Sequence, residues 1–323
     1  MSWEDTDGVR RITAVREAVR AFEEPWSHPH VAERVALGMR YGWDGEPTAH
    51  FLVTVDGVDV AAAVYETTTY DNPHVAWLGL DVHPDQRRRG HASAVLDFLL
   101  DRARADGKTT VGADSWDSPG PQAFAARHGF ERKLVSVNRR QHLAKVDRTE
   151  LDRLHDEAVV AAADYELVRR VGATPADELP ALAEMTAAIN DAPLDDLDID
   201  DEVFPPERIA AYESAQAGQG NVLHRVYARH RVTGELAGHT VVALEALRPW
   251  IAHQHDTAVV RAHRGHRLGI LLKTDMMRWL AEVQPQVESI DTWNAESNDH
   301  MIGVNRALGY EVLARALAYQ RSL

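Results

Sequence analysis

The sequence predicts an α/β (α+β) protein built from two tandem copies of one domain, and three observations predict it. The chain has 323 residues, too long for one ordinary domain and suited to two. Its composition, 45% hydrophobic and 26% charged, is that of a folded globular chain. A single pattern is also written twice: a short apolar run, a basic glycine-containing loop, and a segment with apolar residues at helical spacing.

The first copy runs from Trp77 to Val82, passes through Arg87, Arg88, Arg89 and Gly90, and continues past Ala92 into a helix lined by Val95, Leu96, Leu99 and Ala103. The second runs from Asp256 through Val259 and Val260 to Arg264, Gly265, Arg267 and Gly269. Its helical face carries Leu272, Met276, Trp279, Leu280 and Val283. Each copy then repeats a β-like run (Thr109–Asp114; Ile290–Asn294), a short helix and a glycine–aromatic pair, Gly129-Phe130 or Gly309-Tyr310. Arg87 and Arg264 stand 177 residues apart, and the two glycines 180. Two independent markers with nearly one offset indicate an internal duplication of about 160 residues per copy, far beyond solenoid periods.

Leu134 to Leu143 reads as the last strand of the first copy, by alternation of Val135, Val137 and Arg139 with polar neighbours. Glu150 to Ala163 reads as a connecting helix, its start signalled by Asp147 or Thr149. Tyr165–Val171 opens the second copy as a strand, and Thr174-Pro175 starts a helix to about Ile189. The acidic stretch Asp191–Glu202 is loop-like. It reads as a solvated loop, with attraction of an amine cation as the functional alternative. Strands over Val222–His230 and Glu235–Ala246, joined at Thr233-Gly234, lead into the second basic loop. The expected division is therefore 1–147, a connecting helix at 148–163, and 164–323.

Composition narrows the function. A formal net charge of −15 argues against a nucleic acid partner, whose phosphates need Lys and Arg. It suits a cationic small molecule or plain solubility equally. No apolar run is long enough to cross a bilayer, and the acidic start at Met1 lacks a leader's basic-then-apolar order. With no cysteine, disulfides, thiol nucleophiles and Cys-based zinc sites are excluded. A cytoplasmic location without membrane attachment is expected. His253-x-His255-Asp256 puts two imidazoles on one strand face beside a carboxylate. HExxH and a second carboxylate–histidine cluster are lacking, so the expectation is no metal.

A strand that ends in a glycine-containing loop and enters a helix makes an anion site. The first helical N–H groups have no intrahelical partner, the macrodipole adds partial positive charge, and glycine lets a pyrophosphate approach closely. Neither the Walker nor the dinucleotide fingerprint is present. The residues quoted resemble instead the GNAT superfamily of acyl-coenzyme A-dependent N-acyltransferases. That family's loop reads Arg/Gln-x-x-Gly-x-Gly/Ala after a strand ending Val-x-Pro. The first copy gives Val82-x-Pro84 and Arg87-x-x-Gly90-x-Ala92; the second departs from it, with Arg261 at the proline and Arg264-x-x-Arg267-x-Gly269. The resemblance covers nearly the whole chain. Its tandem arrangement is similar to that of actinobacterial double-GNAT proteins, mycothiol synthase among them.

The resemblance implies two GNAT-type domains, each a mixed, mostly antiparallel central sheet flanked by helices. It implies acetyl-CoA as co-substrate, held by the loop residues and by Asn294 and Asn298, with the pantetheine between splayed strands. It further implies N-acetyltransferase activity, an acyl transfer other than aminoacyl, onto a primary amine of a small molecule or peptide. Many relatives protonate the leaving thiolate with a tyrosine four residues before the glycine–aromatic pair. Ala125 and Asn305 stand there in this chain, so a non-catalytic acyl-CoA sensor or scaffold is the alternative. Asn294, Asn298 and Asn305 favour the second copy as the catalytic one. Asp256 is the first choice of base and Glu245 the second, with Asp81 and Glu66 in similar places of the first copy. Monomer and homodimer both fit.

Overall fold

In a computed structural model, which describes residues 1–46 and 48–323, the chain begins with helix α1 (Thr6–Glu23). The Asp5 side chain caps it by accepting from the Gly8 amide. Val9, Ile12, Val15 and Val19 share its buried face, and Ile12 and Val15 pack on Ala62. Helix α2 (Ala32–Tyr41) follows, then strands β1 (Ala49–Val55) and β2 (Val58–Glu66). These pair antiparallel around Asp56-Gly57, both at positive φ (49° and 79°), as a tight hairpin requires. Next come β3 (Val75–Val82), α3 (His91–Ala105), β4 (Thr110–Trp116), α4 (Pro119–Arg127) and β5 (Glu131–His142).

The second half repeats this order after an added helix and strand. It contains α5 (Arg148–Ala161), β6 (Tyr165–Val171), α6 (Leu179–Thr186) and α7 (Pro206–Gly218). Strands β7 (Asn221–His230), β8 (Leu236–Glu245) and β9 (Ile251–Val259) form a meander, followed by α8 (Leu268–Val283), β10 (Ser289–Ala295), α9 (Asp299–Ala307) and β11 (Tyr310–Ser322). The helix expected from Thr174-Pro175 to about Ile189 runs only from Leu179 to Thr186 and then tightens into a 3-10 segment, Ala187–Asp191. No helix among the described residues is long and apolar enough to cross a membrane.

Two units result. The first comprises Met1–Leu134, Asp196–Asp200 and Ala316–Leu323; the second comprises Val135–Asp195 and Asp201–Arg315. In the first, β1, β2 and β3 are antiparallel neighbours, β3 meets β4 in parallel, and β4 pairs antiparallel with residues 316–322 of β11. In the second, β6 to β9 are antiparallel, β9 meets β10 in parallel, and β10 pairs antiparallel with residues 136–142 of β5. Each is a mixed, mostly antiparallel sheet flanked by helices.

The last strands are therefore exchanged. The sequence places Leu134–Leu143 with the first copy and draws a boundary at 147, whereas contacts divide the chain at Leu134/Val135. Duplication makes this neutral in hydrogen bonds, because either copy's last strand satisfies either open edge. The acidic stretch is divided as well. Its Asp196–Asp200 segment lies on the first unit, where Asp198 accepts from Thr110 (3.2 Å), its amide donates to Gln320 (2.7 Å), and the Asp200 amide donates to Asn72 (2.6 Å).

The second unit's core lies between its sheet and helices α5 and α8. There Leu268, Leu272, Met276 and Leu280 pack with Val226, Val242, Ala252 and Ile290. Burying side chains of this size stabilises by about 1.5–3 kcal/mol each. This rigid layer positions the loop between β9 and α8.

Candidate active site

Each unit contains a parallel strand pair that stays together for only three rungs. In the first, Val75, Ala76 and Trp77 face Thr110, Val111 and Gly112. In the second, Ile251, Ala252 and His253 face Ser289, Ile290 and Asp291. Beyond those rungs Gly79–Val82 and Ala113–Trp116 have no pairing with each other, nor do Gln254–Val259 and Thr292–Ala295. An unpaired strand edge offers N–H and C=O groups to an extended ligand. In the first unit the closed end is tight: a Cβ on Gly112 would lie 2.6 Å from the Trp77 ring.

The two basic loops share a backbone. Each begins with a single 3-10 turn, Pro84–Gln86 or Arg261–His263. Each then takes positive φ at its second and fourth positions, Arg88 (63°) and Gly90 (88°), or Gly265 (90°) and Arg267 (56°). Glycine thus occupies one left-handed position in each loop and arginine the other, a placement that costs an arginine about 1–2 kcal/mol. Gly90 and Arg267 are the N-caps of α3 and α8, and neither helix has a side-chain cap. Helices α1, α5 and α9 do have one, from Asp5, Asp147 and Asn298. The first amides of α3 and α8, the residues Ala92 and Gly269 among them, are thus left without a side-chain acceptor, as an anion site requires.

The loop arginines are partly committed elsewhere. Arg87 Nε donates to the Val82 carbonyl (3.1 Å), its guanidinium bonds Glu23 (2.7 Å), and it lies over the Phe22 ring. Arg264 Nε makes the same bond to Val259 (3.1 Å), and Asp191 accepts from both Arg264 (2.6 Å) and Arg261 (2.5 Å). Arg267 pairs with Glu157 at 3.0 Å. Arg88 and Arg89 are exposed, with Arg89 bonded to Gln86. Val260 closes the 3-10 turn by accepting from the His263 amide (2.8 Å).

The candidate catalytic residues separate. Glu245 is 2% exposed and accepts from Arg248 (2.6 and 2.8 Å) and from His253 (2.6 Å). It braces the end of the β8–β9 hairpin through these bonds. Asp256 differs. It lies in the unpaired part of β9, at a bulge where His255 and Asp256 together oppose Val241, an irregularity that re-aims side chains near sites. Among the described residues no hydrogen bond or ion pair meets its carboxylate, and burial raises its pKa against the opposing pull of Arg225.

Nearby polar groups line the same sheet face. Tyr212 bonds His255 (2.6 Å), and Arg225 is ion-paired with Glu213 (2.5 Å) and bonded to Thr174 (2.9 Å). His239 is 1% exposed with both ring nitrogens unpartnered, and burial holds its pKa down at about 3, so the ring is neutral. His253 and His255 thus serve Glu245 and Tyr212, and no group of three metal-binding side chains occurs among the described residues.

Asn298 caps α9 by accepting from the Met301 amide (3.1 Å). Asn305 is fully buried and donates to Asn294 (2.6 Å), bringing two of the three asparagines together. Asn305 also accepts from Lys273 (2.6 Å), a residue that sequence reasoning passed over because it falls at a core-facing position of α8. A lone lysine within that apolar face was the available signal.

Comparison with known proteins adds to this geometry. The sequence pattern of the family described as "Acetyltransferase (GNAT) family" matches residues 12–130. A mycothiol acetyltransferase from Stackebrandtia nassauensis is 34% identical over 140 residues, 42% of this chain and 44% of that protein. One from a Parafrankia species is 30% identical over 149 residues, 45% and 44% of the two chains. The matched stretch thus spans less than half of these curated relatives. Among solved structures, a tandem GNAT protein from the clavulanic acid biosynthesis pathway superposes with a TM-score of 0.81 at 26% identity, covering 100% of this chain and 97% of that one. A GCN5-related N-acetyltransferase from Sphaerobacter thermophilus shares the fold at 15% identity, with a TM-score of 0.67 over 97% and 92% of the chains.

Proposed function

We propose that the chain transfers an acetyl group from acetyl-CoA to a primary amine, a reading supported by the match of residues 12–130 to the GNAT acetyltransferase family and by the likeness to a tandem GNAT structure. The acceptor is a small molecule or a peptide amine, and the second unit is the catalytic one. One observation carries this reading. Strands β9 and β10 part after the His253–Asp291 rung, as β3 and β4 do in the first unit, and here the parted strand β9 carries the Asp256 carboxylate, whose pKa burial raises.

The pantetheine arm enters the parted strands and hydrogen-bonds their free edges. The pyrophosphate rests on the loop amides between Gly265 and Gly269, which the two left-handed residues turn into a concave donor surface. In the first unit the loop from Arg87 to Ala92 offers an equivalent nucleotide site, with Arg88 and Arg89 supplying charge.

The amine nitrogen attacks the thioester carbonyl. The C–N bond forms, the C–S bond breaks, and coenzyme A leaves as a thiolate. The amine's proton passes to the Asp256 carboxylate, whose raised pKa brings it closer to an amine's than an ordinary carboxylate. The thiolate, lacking the family's tyrosine, takes its proton from solvent. The reaction needs no metal. A cysteine-free chain of this chemistry fits the cytoplasm.

Calorimetric titration with acetyl-CoA, followed by coenzyme A release across a panel of small amines and peptides, tests the proposal. Binding with sustained release is expected. Binding with no release from any amine favours the sensor or scaffold reading, for which Ala125 and Asn305 at the tyrosine positions speak. Absence of binding refutes both.

A further inference from the structure

Lys273 lies in α8 with 2% of its surface exposed. Its ammonium has one hydrogen-bond acceptor, Asn305 Oδ1 at 2.6 Å, and stands 4.8 Å from the centre of the Tyr310 ring. Among the described residues no carboxylate pairs with it. Burial alone pulls its pKa down to about 7. The nearest ionisable neighbours do not relieve it. The Tyr310 hydroxyl is pushed up by burial and by Asp291, and Asp291 is itself held by Arg140 at 2.6 and 2.7 Å. An unpaired buried cation is costly, so its presence calls for a use.

The hydrogen bonds leading away from Lys273 have a forced direction. An ammonium only donates, so Asn305 must turn its oxygen to it. The Asn305 Nδ2 then donates to Asn294 Oδ1 at 2.6 Å, which leaves the Asn294 amino group as the far end. No described residue accepts from that group. Asn294 is half-buried and stands on β10 three residues beyond the last rung to β9. Two amide dipoles aligned head to tail behind the ammonium strengthen the terminal donor. The first copy lacks all three parts: the matching positions hold Leu96, Ala125 and Ser115, and Leu96 is ordinary core.

We propose that Lys273 is a positioning residue for acyl transfer: through Asn305 and Asn294 it directs a polarised amide N–H into the parted strands, where it stabilises negative charge on the departing sulfur. The inference rests on the functional reading above, in which the thioester enters that split. No proton travels along the amides. The lysine's charge is felt through them, and thiolate and ammonium hold each other ionised. This replaces the missing tyrosine by charge stabilisation, leaving solvent to protonate the sulfur afterwards.

The test is the ionisation of coenzyme A's thiol when bound, followed by thiolate ultraviolet absorbance against pH, in wild type, Lys273→Met and Asn294→Ala. Bound to wild type, the thiol is expected to ionise at lower pH than in solution. Lys273→Met raises its apparent pKa by about one unit, a tenfold loss of thiolate preference, while affinity for desulfo-coenzyme A is unchanged. Asn294→Ala, at a half-exposed position, gives the same shift and stands in should Lys273→Met fail to fold. Identical thiol titrations in wild type and in the folded variants, with coenzyme A bound, overturn the role of Lys273. Failure of wild type to bind coenzyme A removes the functional reading instead, and this inference with it.

Discussion

Asp256 carries opposite consequences for stability and for catalysis. Burial raises its pKa above the unfolded value, so between those two values the folded protein holds a proton that the unfolded chain has released. Stability therefore falls as pH rises through that window. Asp256→Asn removes the penalty, and the variant is expected to melt higher than wild type at about pH 8 but not at about pH 4. Loss of a general base should cut turnover by about 10²–10⁴-fold. A variant that keeps full turnover would show that another group takes the amine's proton. Arg225–Glu213 is the contrasting case, two side chains 5% and 3% exposed and joined at 2.5 Å. Glu213→Ala strands a buried guanidinium and should cost about 3–5 kcal/mol, measurable by urea unfolding; a loss under 1 kcal/mol, roughly that of a surface pair, contradicts the burial. Residue-level reading of the sequence singled out Asp256, Asn294 and Asn305 from their places at strand ends and before the glycine–aromatic pair. The same reading set Glu245 beside Asp256 as a base, since sequence alone does not reveal that Arg248 and His253 already hold it.

At the scale of elements, the parting of the parallel strands depends on what happens at its closed end. Gly112 lets the Trp77 ring lie across β4, and a methyl there would sit 2.6 Å from the ring. Gly112→Ala is therefore expected to displace Trp77 and destabilise the first unit by about 1–3 kcal/mol, as overpacking does. Thermal unfolding checks this; an unchanged midpoint means that the ring moves aside freely. Most elements were legible in the sequence, because strands such as Tyr165–Val171 and the helix from Arg148 carry periodicity or a cap within their own residues. The loops were legible for the same reason, with glycine marking one left-handed position in each. The second such position was hidden, because Arg88 and Arg267 take positive φ without the residue type that announces it.

At the scale of the whole molecule, neither half of the sequence makes a complete unit. Residues 316–322 supply the strand beside β4, with Ala316 facing Trp116 and Ser322 facing Thr110. They bury Leu317, Ala318 and Tyr319 in the first unit, and the Arg321 guanidinium bonds the His128 carbonyl (2.8 Å). This exchange was invisible to sequence reading because duplicated last strands have the same pattern, and pairing energy does not distinguish a copy's own strand from its counterpart. Ending the chain at Arg315 should expose the edge of β4 and remove a share of core worth several side chains at about 1.5–3 kcal/mol each. Hydrogen exchange is the suitable measurement. The amides of Thr110–Trp116 are expected to lose protection in the truncated chain, while those of β7 and β8, whose partners all lie within the second unit, retain it. By the same reasoning residues 1–147 expressed alone should lack a cooperative unfolding transition, since β4 then has no residues 316–322 to pair with. If that fragment melts cooperatively with native-like protection in β4, the exchanged strand is dispensable and the first copy is a self-sufficient domain.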